Sequence, residues 1–182
     1  MEHRIILAGA GGQGIMLLGK ILAEAAMKDN KTVTWLPSYG AEVRGGTANC
    51  MVVISEEEIG SPYIDQADSL IIFNQPSFER FGNRLLPGGI LLLNASLVEK
   101  PAFPKKKIRL IYQPFTDIAM KVGSVKVANI VALGCFLAVV KLVRKETAIE
   151  IIRSKAKEVS PQIIELNLKA FEEGFILGQD VK

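Results

Sequence analysis

Ile5-Ile6-Leu7-Ala8-Gly9-Ala10-Gly11-Gly12-Gln13-Gly14-Ile15 is the stretch whose reading decides the fold. Ile5 to Ala8 is a short, continuous apolar run, the pattern of a strand covered on both faces. Beyond the glycines, Ile15, Leu18, Ile21, Leu22 and Ala25 recur at helical spacing up to Met27. Strand, glycine turn and helix in that order present free backbone N–H groups to a phosphate. The glycines let the backbone approach closely, and the helix N-terminus adds partial positive charge. The spelling from Gly9 to Gly14 also fits the dinucleotide fingerprint G-x-G-x-x-G.

Working outward, Thr32 to Leu36 is β-branched and aromatic and reads as a second strand, ended by Pro37. Thr47 to Ile54 reads as a third strand, and Ser69 to Phe73 and Ile90 to Leu93 as two short buried ones. Pro76 to Phe81 is a short helix between them, Pro87-Gly88-Gly89 a turn, and Ile108 to Tyr112 a further strand. From there the pattern is helical: Phe115 to Lys121, Ala128 to Val143, Thr147 to Ala156 and Pro161 to Leu177. Ser160-Pro161 places a capping hydroxyl before a proline at the first helical position. Strands alternating with helices predict a single domain over residues 1–182 of class α/β. We expect a three-layer α/β/α arrangement with a mainly parallel sheet and a helical C-terminal third. Ligands of such sheets sit beyond the carboxyl ends of the strands, where the Gly9 turn and the segment from Pro37 to Gly46 both fall.

Composition narrows the function. A net charge of +3 and one basic run, Lys105-Lys106-Lys107, argue against a nucleic-acid partner, which needs many clustered cations. Two distant cysteines, Cys50 and Cys135, do not make an iron–sulfur or zinc site, and they point to a reducing cytoplasm. The N-terminus lacks a signal-peptide layout, and the uncharged run from Val127 to Val140 is too short for a bilayer, so no membrane partner is expected. The lone histidine, His3, reads as a surface residue rather than a catalytic base.

The dinucleotide reading requires an Asp or Glu about 20 residues past the glycines, at the end of the second strand, to hold a ribose. That strand ends in Trp35-Leu36-Pro37-Ser38, and Asp29 precedes it, at the wrong end of the sheet. A self-contained dehydrogenase is therefore disfavoured. The segment after the strand is more specific: Ser38-Tyr39-Gly40-Ala41-Glu42-Val43-Arg44-Gly45-Gly46 gathers a hydroxyl, a phenol, a carboxylate, a guanidinium and several glycines. Arg44 is able to clamp a phosphate or carboxylate, or else to pair with Glu42 and fix the loop. The glycines admit positive φ or the close approach of a partner's backbone. Trp35 and Tyr39 flank the loop as candidates for stacking on an adenine or filling an interface, and Asn129 for capping locally or reaching the turn.

Gly9 to Gly14 together with Ser38 to Gly46 resembles the gamma subunit of 2-oxoacid:ferredoxin oxidoreductases. The resemblance continues through Ser55 and Ile59-Gly60-Ser61-Pro62, and returns at Pro114-Phe115-Thr116-Asp117-Ile118-Ala119 and at Val127 to Gly134. Arg44 to Cys50 looks closest to the 2-oxoglutarate branch, with pyruvate and ketoisovalerate types as neighbours. The resemblance implies a non-catalytic subunit of a complex that converts a 2-oxoacid, coenzyme A and oxidised ferredoxin into acyl-CoA, carbon dioxide and reduced ferredoxin. It places thiamine diphosphate, Mg²⁺ and 4Fe–4S clusters on alpha, beta and ferredoxin-like delta partner subunits. It leaves to this chain a structural role and a share in coenzyme A binding. The binding residues expected are Gly9, Gly11, Gly12, Gln13, Gly14, Ser38, Tyr39, Glu42, Arg44, Gly45 and Gly46. Alternatives are the matching subunit of an indolepyruvate oxidoreductase and a stand-alone nucleotide-binding regulatory module.

Overall fold

The computed structural model describes residues 2–38, 47–101, 107–156 and 160–181. Six strands, β1 (His3–Ala10), β2 (Thr32–Ser38), β3 (Thr47–Ser55), β4 (Ala67–Ile72), β5 (Leu85–Asn94) and β6 (Arg109–Gln113), form one sheet in the order β2-β3-β1-β4-β5-β6. The expected mainly parallel α/β sheet is present. β1, β4, β5 and β6 pair in parallel, and β3 alone runs against its neighbours β1 and β2. The helices are α1 (Ile15–Lys28), α2 (Gln75–Phe81), α3 (Phe115–Val122), α4 (Ala128–Val140), α5 (Lys145–Ala156) and α6 (Pro161–Gln179).

Strand alternation divides the core into two faces. Ile5, Leu7, Val52, Ile71 and Leu92 face the layer containing α1, α4 and α6. Ile6, Ala8, Val53, Ile72 and Leu93 face the other, thinner layer, made by Phe81 of the short α2 and the segments around Ile64 and Val98. Three of the helices, α4, α5 and α6, fall in the last third of the sequence.

Three boundaries differ from the sequence reading. β2 continues through Pro37 to Ser38. It is an edge strand, where a residue without an N–H costs no ladder bond. Pro87-Gly88-Gly89 lies inside β5 rather than between elements, and the β4–β5 register shifts between Ala67 and Ser69. α4 stops at Val140 because Lys141 takes the left-handed conformation at φ 56.

α4 is buried from Ala128 to Ala138, and α6 closes over it at very short range. A Cβ on Gly174 would stand 1.9 Å from the Val131 carbonyl oxygen, and one on Gly134 2.2 Å from that of Phe171. Both neighbours are helix backbone, which cannot rotate away. At the other end of α1, the Asp29 carboxylate accepts the Arg144 N–H (2.7 Å), Arg144 Nε–H (2.8 Å) and the Thr147 hydroxyl (2.7 Å). It thereby caps α5 from outside. Burial alone would raise the Asp29 pKa, but the Arg144 and Thr147 bonds outweigh it and hold the group below its ordinary 3.8.

Gly174→Ala should force α6 off α4 and cost about 3 kcal/mol of folding stability, the upper range for overpacking a core. Chemical denaturation of the variant tests this, with Lys169→Ala, on the same helix and outside the crossing, as the near-neutral control.

Candidate functional site

The turn after β1 is closed on itself. Ala10 N–H donates to Gln13 Oε1 (2.7 Å), and Gln13 N–H donates to the Ala10 carbonyl (3.2 Å). Gly9 leaves room for this fold-back, since a Cβ there would lie 2.6 Å from Gln13 Oε1. Gly12 (φ +88) and Gly14 (φ +73) are both left-handed, a conformation L side chains rarely adopt. Among the described residues nothing lies within 4 Å of where a Cβ on Gly12 would stand. No side chain caps α1, and its first turn carries no acidic residue. Its leading N–H groups therefore remain without a helical acceptor and lie in a positive field.

Asn129, the second residue of α4 and 2% exposed, fixes the far side of the turn. Its Nδ2 donates to the Gly14 carbonyl (3.1 Å), and its Oδ1 accepts its neighbour Ile130's N–H (3.0 Å). The two roles open to Asn129, local bonding and reaching the turn, are both met. Gly14 cannot carry a side chain here, as its Cβ would stand 2.4 Å from Asn129 Nδ2.

The antiparallel β3 places the loop beside this turn. Ser38 pairs with Asn49, Ala48 with Gly9 and Thr47 with Ala10, so the connection leaves and re-enters the sheet at its carboxyl edge. Ser38 is exposed there. The other loop candidates, Tyr39, Glu42, Arg44, Gly45 and Gly46, lie outside the described residues. The strand order also bears on the dinucleotide reading. β3 separates β2 from β1, which puts the end of β2 two strand spacings, about 10 Å, from the glycine turn. The position a ribose carboxylate would take is therefore displaced as well as lacking an acid.

Sequence reasoning passed over Asn94, which ends β5 and is fully buried. Its Nδ2 donates to Thr116 Oγ1 (2.8 Å), and its Oδ1 accepts Thr116 N–H (3.3 Å), tying the start of α3 to the same edge. The available signal was an asparagine closing the apolar run Ile90 to Leu93. Trp35 packs against the α1 side of the core, close to the Cys50 thiol, rather than standing at the edge.

Groups suited by type to metal or nucleophilic chemistry have structural surroundings. Burial pushes the Cys50 and Cys135 thiols each up to about 12. Neither is a thiolate at neutral pH in these buried surroundings. Among the described residues no three His, Cys, Asp or Glu side chains are grouped to hold a metal ion. This donor set does not fit an iron–sulfur cluster. No helix among the described residues is long and apolar enough to cross a membrane.

His3, at the opposite edge of the sheet, is half-buried and not the free surface group its position suggests. Its Nε2 lies 2.9 Å from the Ser69 hydroxyl, itself fully buried. Burial holds the His3 pKa below the ordinary 6.5, against the opposing pull of Asp68. A pKa lowered by folding means that the neutral form carries the stability. That contribution is complete above the unfolded pKa and is lost as pH falls through the folded one. Thermal melts should thus hold steady above about pH 7.5 and drop over the interval below about pH 6.5. His3→Gln should flatten that interval while leaving the Asp29-linked loss at lower pH.

The chain matches the model of the pyruvate ferredoxin/flavodoxin oxidoreductase family over residues 4–177. It is 39% identical over 175 residues to the ketoisovalerate oxidoreductase subunit VorA of Methanothermobacter marburgensis, which covers 95% of this chain but only 36% of the relative's length. It is 34% identical over 183 residues to the 2-oxoglutarate synthase subunit KorC of Methanocaldococcus jannaschii, covering 100% of this chain and 96% of that one. Among solved structures, the gamma subunit of a keto/oxoacid ferredoxin oxidoreductase from Geobacter sulfurreducens superimposes with a TM-score of 0.82 at 36% identity, over 97% of this chain and 98% of that one. The sequence resemblance thus extends to the whole fold, and the chain belongs to the pyruvate ferredoxin/flavodoxin oxidoreductase family.

Proposed function

We propose that the chain is the gamma-type subunit of a 2-oxoacid:ferredoxin oxidoreductase. In this reading its partners are alpha and beta subunits and a ferredoxin-like delta subunit, with ferredoxin as electron acceptor and the cytoplasm as compartment. The complex converts a 2-oxoacid, coenzyme A and oxidised ferredoxin into acyl-CoA, carbon dioxide and reduced ferredoxin. Thiamine diphosphate with Mg²⁺ supplies the decarboxylation chemistry and 4Fe–4S clusters carry the electrons, all on the partners. The gamma chain itself supplies structure and a cradle for coenzyme A.

The observation that carries the cradle is the uncapped start of α1. Its N–H groups without a helical acceptor and the left-handed Gly12, with no described residue within 4 Å of its Cβ position, suit a diphosphate. Gln13 holds the turn closed, Asn129 holds Gly14, and the Ser38 end of the loop stands at the same edge. In this reading Tyr39, Glu42 and Arg44 complete the site from the loop, with Arg44 on the coenzyme's 3′-phosphate and Gly45 and Gly46 allowing close approach.

For the oxoacid we favour 2-oxoglutarate. The Arg44-to-Cys50 pattern supports it, as does the 34% identity to KorC. Ketoisovalerate is the second reading, on the higher identity of VorA. An indolepyruvate oxidoreductase subunit is a more remote one, at 27% identity to IorB of Archaeoglobus fulgidus.

A tagged chain expressed in its native host should co-purify with thiamine- and cluster-bearing subunits; recovery of the chain alone would sink the reading. In the assembled enzyme, Gly12→Asp should raise the KM for coenzyme A about tenfold by setting a carboxylate against the diphosphate, and leave the oxoacid KM unchanged. Gly12→Asn, similar in size and tolerance of positive φ, separates charge from shape. An unaltered coenzyme A KM in the aspartate variant refutes the cradle while leaving the subunit assignment in place.

A further inference from the structure

Asn94 and Thr116 form a pair whose hydrogen-bond directions are fixed by their surroundings. Asn94 Oδ1 accepts two backbone N–H groups, those of Thr116 (3.3 Å) and Ser96 (3.4 Å). An amide nitrogen could accept neither, so the Asn94 nitrogen takes the other position and donates to Thr116 Oγ1 (2.8 Å). The Thr116 hydroxyl is thereby an acceptor toward Asn94, and its own proton is left to donate elsewhere. Among the described residues it has no acceptor. Asn94 is fully buried and has no solvent to turn to, whereas Thr116 is half-buried. The pair thus sets a donor of fixed polarity at the end of β5.

Strand register places this donor level with the glycine turn. Ala8 pairs with Ile72 and Ile72 with Leu93, so Gly9, Phe73 and Asn94 lie in the next row, at the carboxyl edge. β4 separates β1 from β5, which puts the two ends about 10 Å apart. The ground between them is continuous. A Cβ on Gly9 would stand 2.9 Å from Phe73 Cβ, and the Phe73 ring stacks on that of Phe115, the residue before Thr116, with centres 6.3 Å apart. Both rings are buried, so a packed apolar floor joins the turn to the hydroxyl.

We infer that the Thr116 hydroxyl, oriented by the buried Asn94 amide, is a specificity contact for coenzyme A and donates to the second amide carbonyl of its thiol-bearing arm. The inference rests on the cradle proposed above, which seats the diphosphate at the turn. From the diphosphate the arm passes through two amides before its thiol, and the second carbonyl stands about 10 Å out along an extended chain. That reach matches the separation of the β1 and β5 ends. A neutral hydroxyl suits a neutral amide oxygen, and a buried partner that fixes its proton makes the contact selective. Other nucleotides with an adenosine diphosphate half lack the arm and forgo the contact. Asn94 touches no ligand and is a positioning residue.

The test measures steady-state kinetics of the assembled complex, with 3′-phosphoadenosine 5′-diphosphate, the nucleotide half of the coenzyme, as a competitive inhibitor. Thr116→Val should raise the KM for coenzyme A about fivefold, the worth of one hydrogen bond between neutral groups. Inhibition by the nucleotide half and the oxoacid KM should not change. Thr116→Ser, which keeps the hydroxyl, should restore the wild-type value. On the wild-type complex, a coenzyme A analogue with two methylenes in place of the second amide should show the same fivefold rise, a readout that needs no variant to fold. An unchanged coenzyme A KM in Thr116→Val, or an analogue as good as coenzyme A itself, would overturn the inference. So would an equal weakening of the nucleotide half, which means a disturbed turn rather than a lost contact. If Gly12→Asp weakens coenzyme A and Thr116→Val does not, the cradle stands and this contact alone falls; if neither does, the cradle has failed as well.

Discussion

Everything at the candidate site depends on one reversed strand. β3 runs antiparallel between β2 and β1, and its ladder with β1 extends from His3–Ile54 to Ala10–Thr47. An antiparallel neighbour must begin where the previous strand ends, so the β2–β3 connection is confined to the carboxyl edge. That brings its two ends beside the glycine turn. The same insertion moves β2 away from β1 and removes the adjacency that a dinucleotide site uses to reach a ribose. One strand thus removes the geometry that the glycine spelling suggests and sets Ser38 and Thr47 at the edge that holds the turn.

The helical third of the chain is built into the site rather than appended to the sheet. α6 reaches α4 through glycines whose missing side chains allow backbone contact. α4 in turn sets the buried Asn129 amide on the Gly14 carbonyl. Gly14 must be glycine twice over, for its positive φ and for the space Asn129 occupies. The turn is therefore held from β1 by Gln13 and from α4 by Asn129. Its backbone is thus fixed in advance, which would lower the ordering cost of the phosphate in the proposed cradle.

Most elements were legible because their periodicity was strong. β1, α1, the short buried strands and the C-terminal helices all lie within a few residues of the pattern in the sequence. The failures have local causes. Pro37 and Pro87 read as breaks, yet both sit inside strands. α4 is apolar on nearly every side, so hydrophobicity gave no sign of where it stops; the left-handed Lys141 marks the end. His3 and Asn94 have partners more than 20 residues away, at Ser69 and Thr116, so no local spacing announces them.

The sequence by itself determined the α/β class, the strand–turn–helix at Gly9 and the family, because these depend on local periodicity and on motifs read in order. Only the tertiary structure decided the direction of β3, the uneven covering of the two sheet faces and the contact of Asn129 with Gly14. It alone also set the buried Asn94 amide on the Thr116 hydroxyl. Each of these is a relation between segments distant along the chain. Strand pairing, packing and close backbone approach set such relations, and no single segment encodes them.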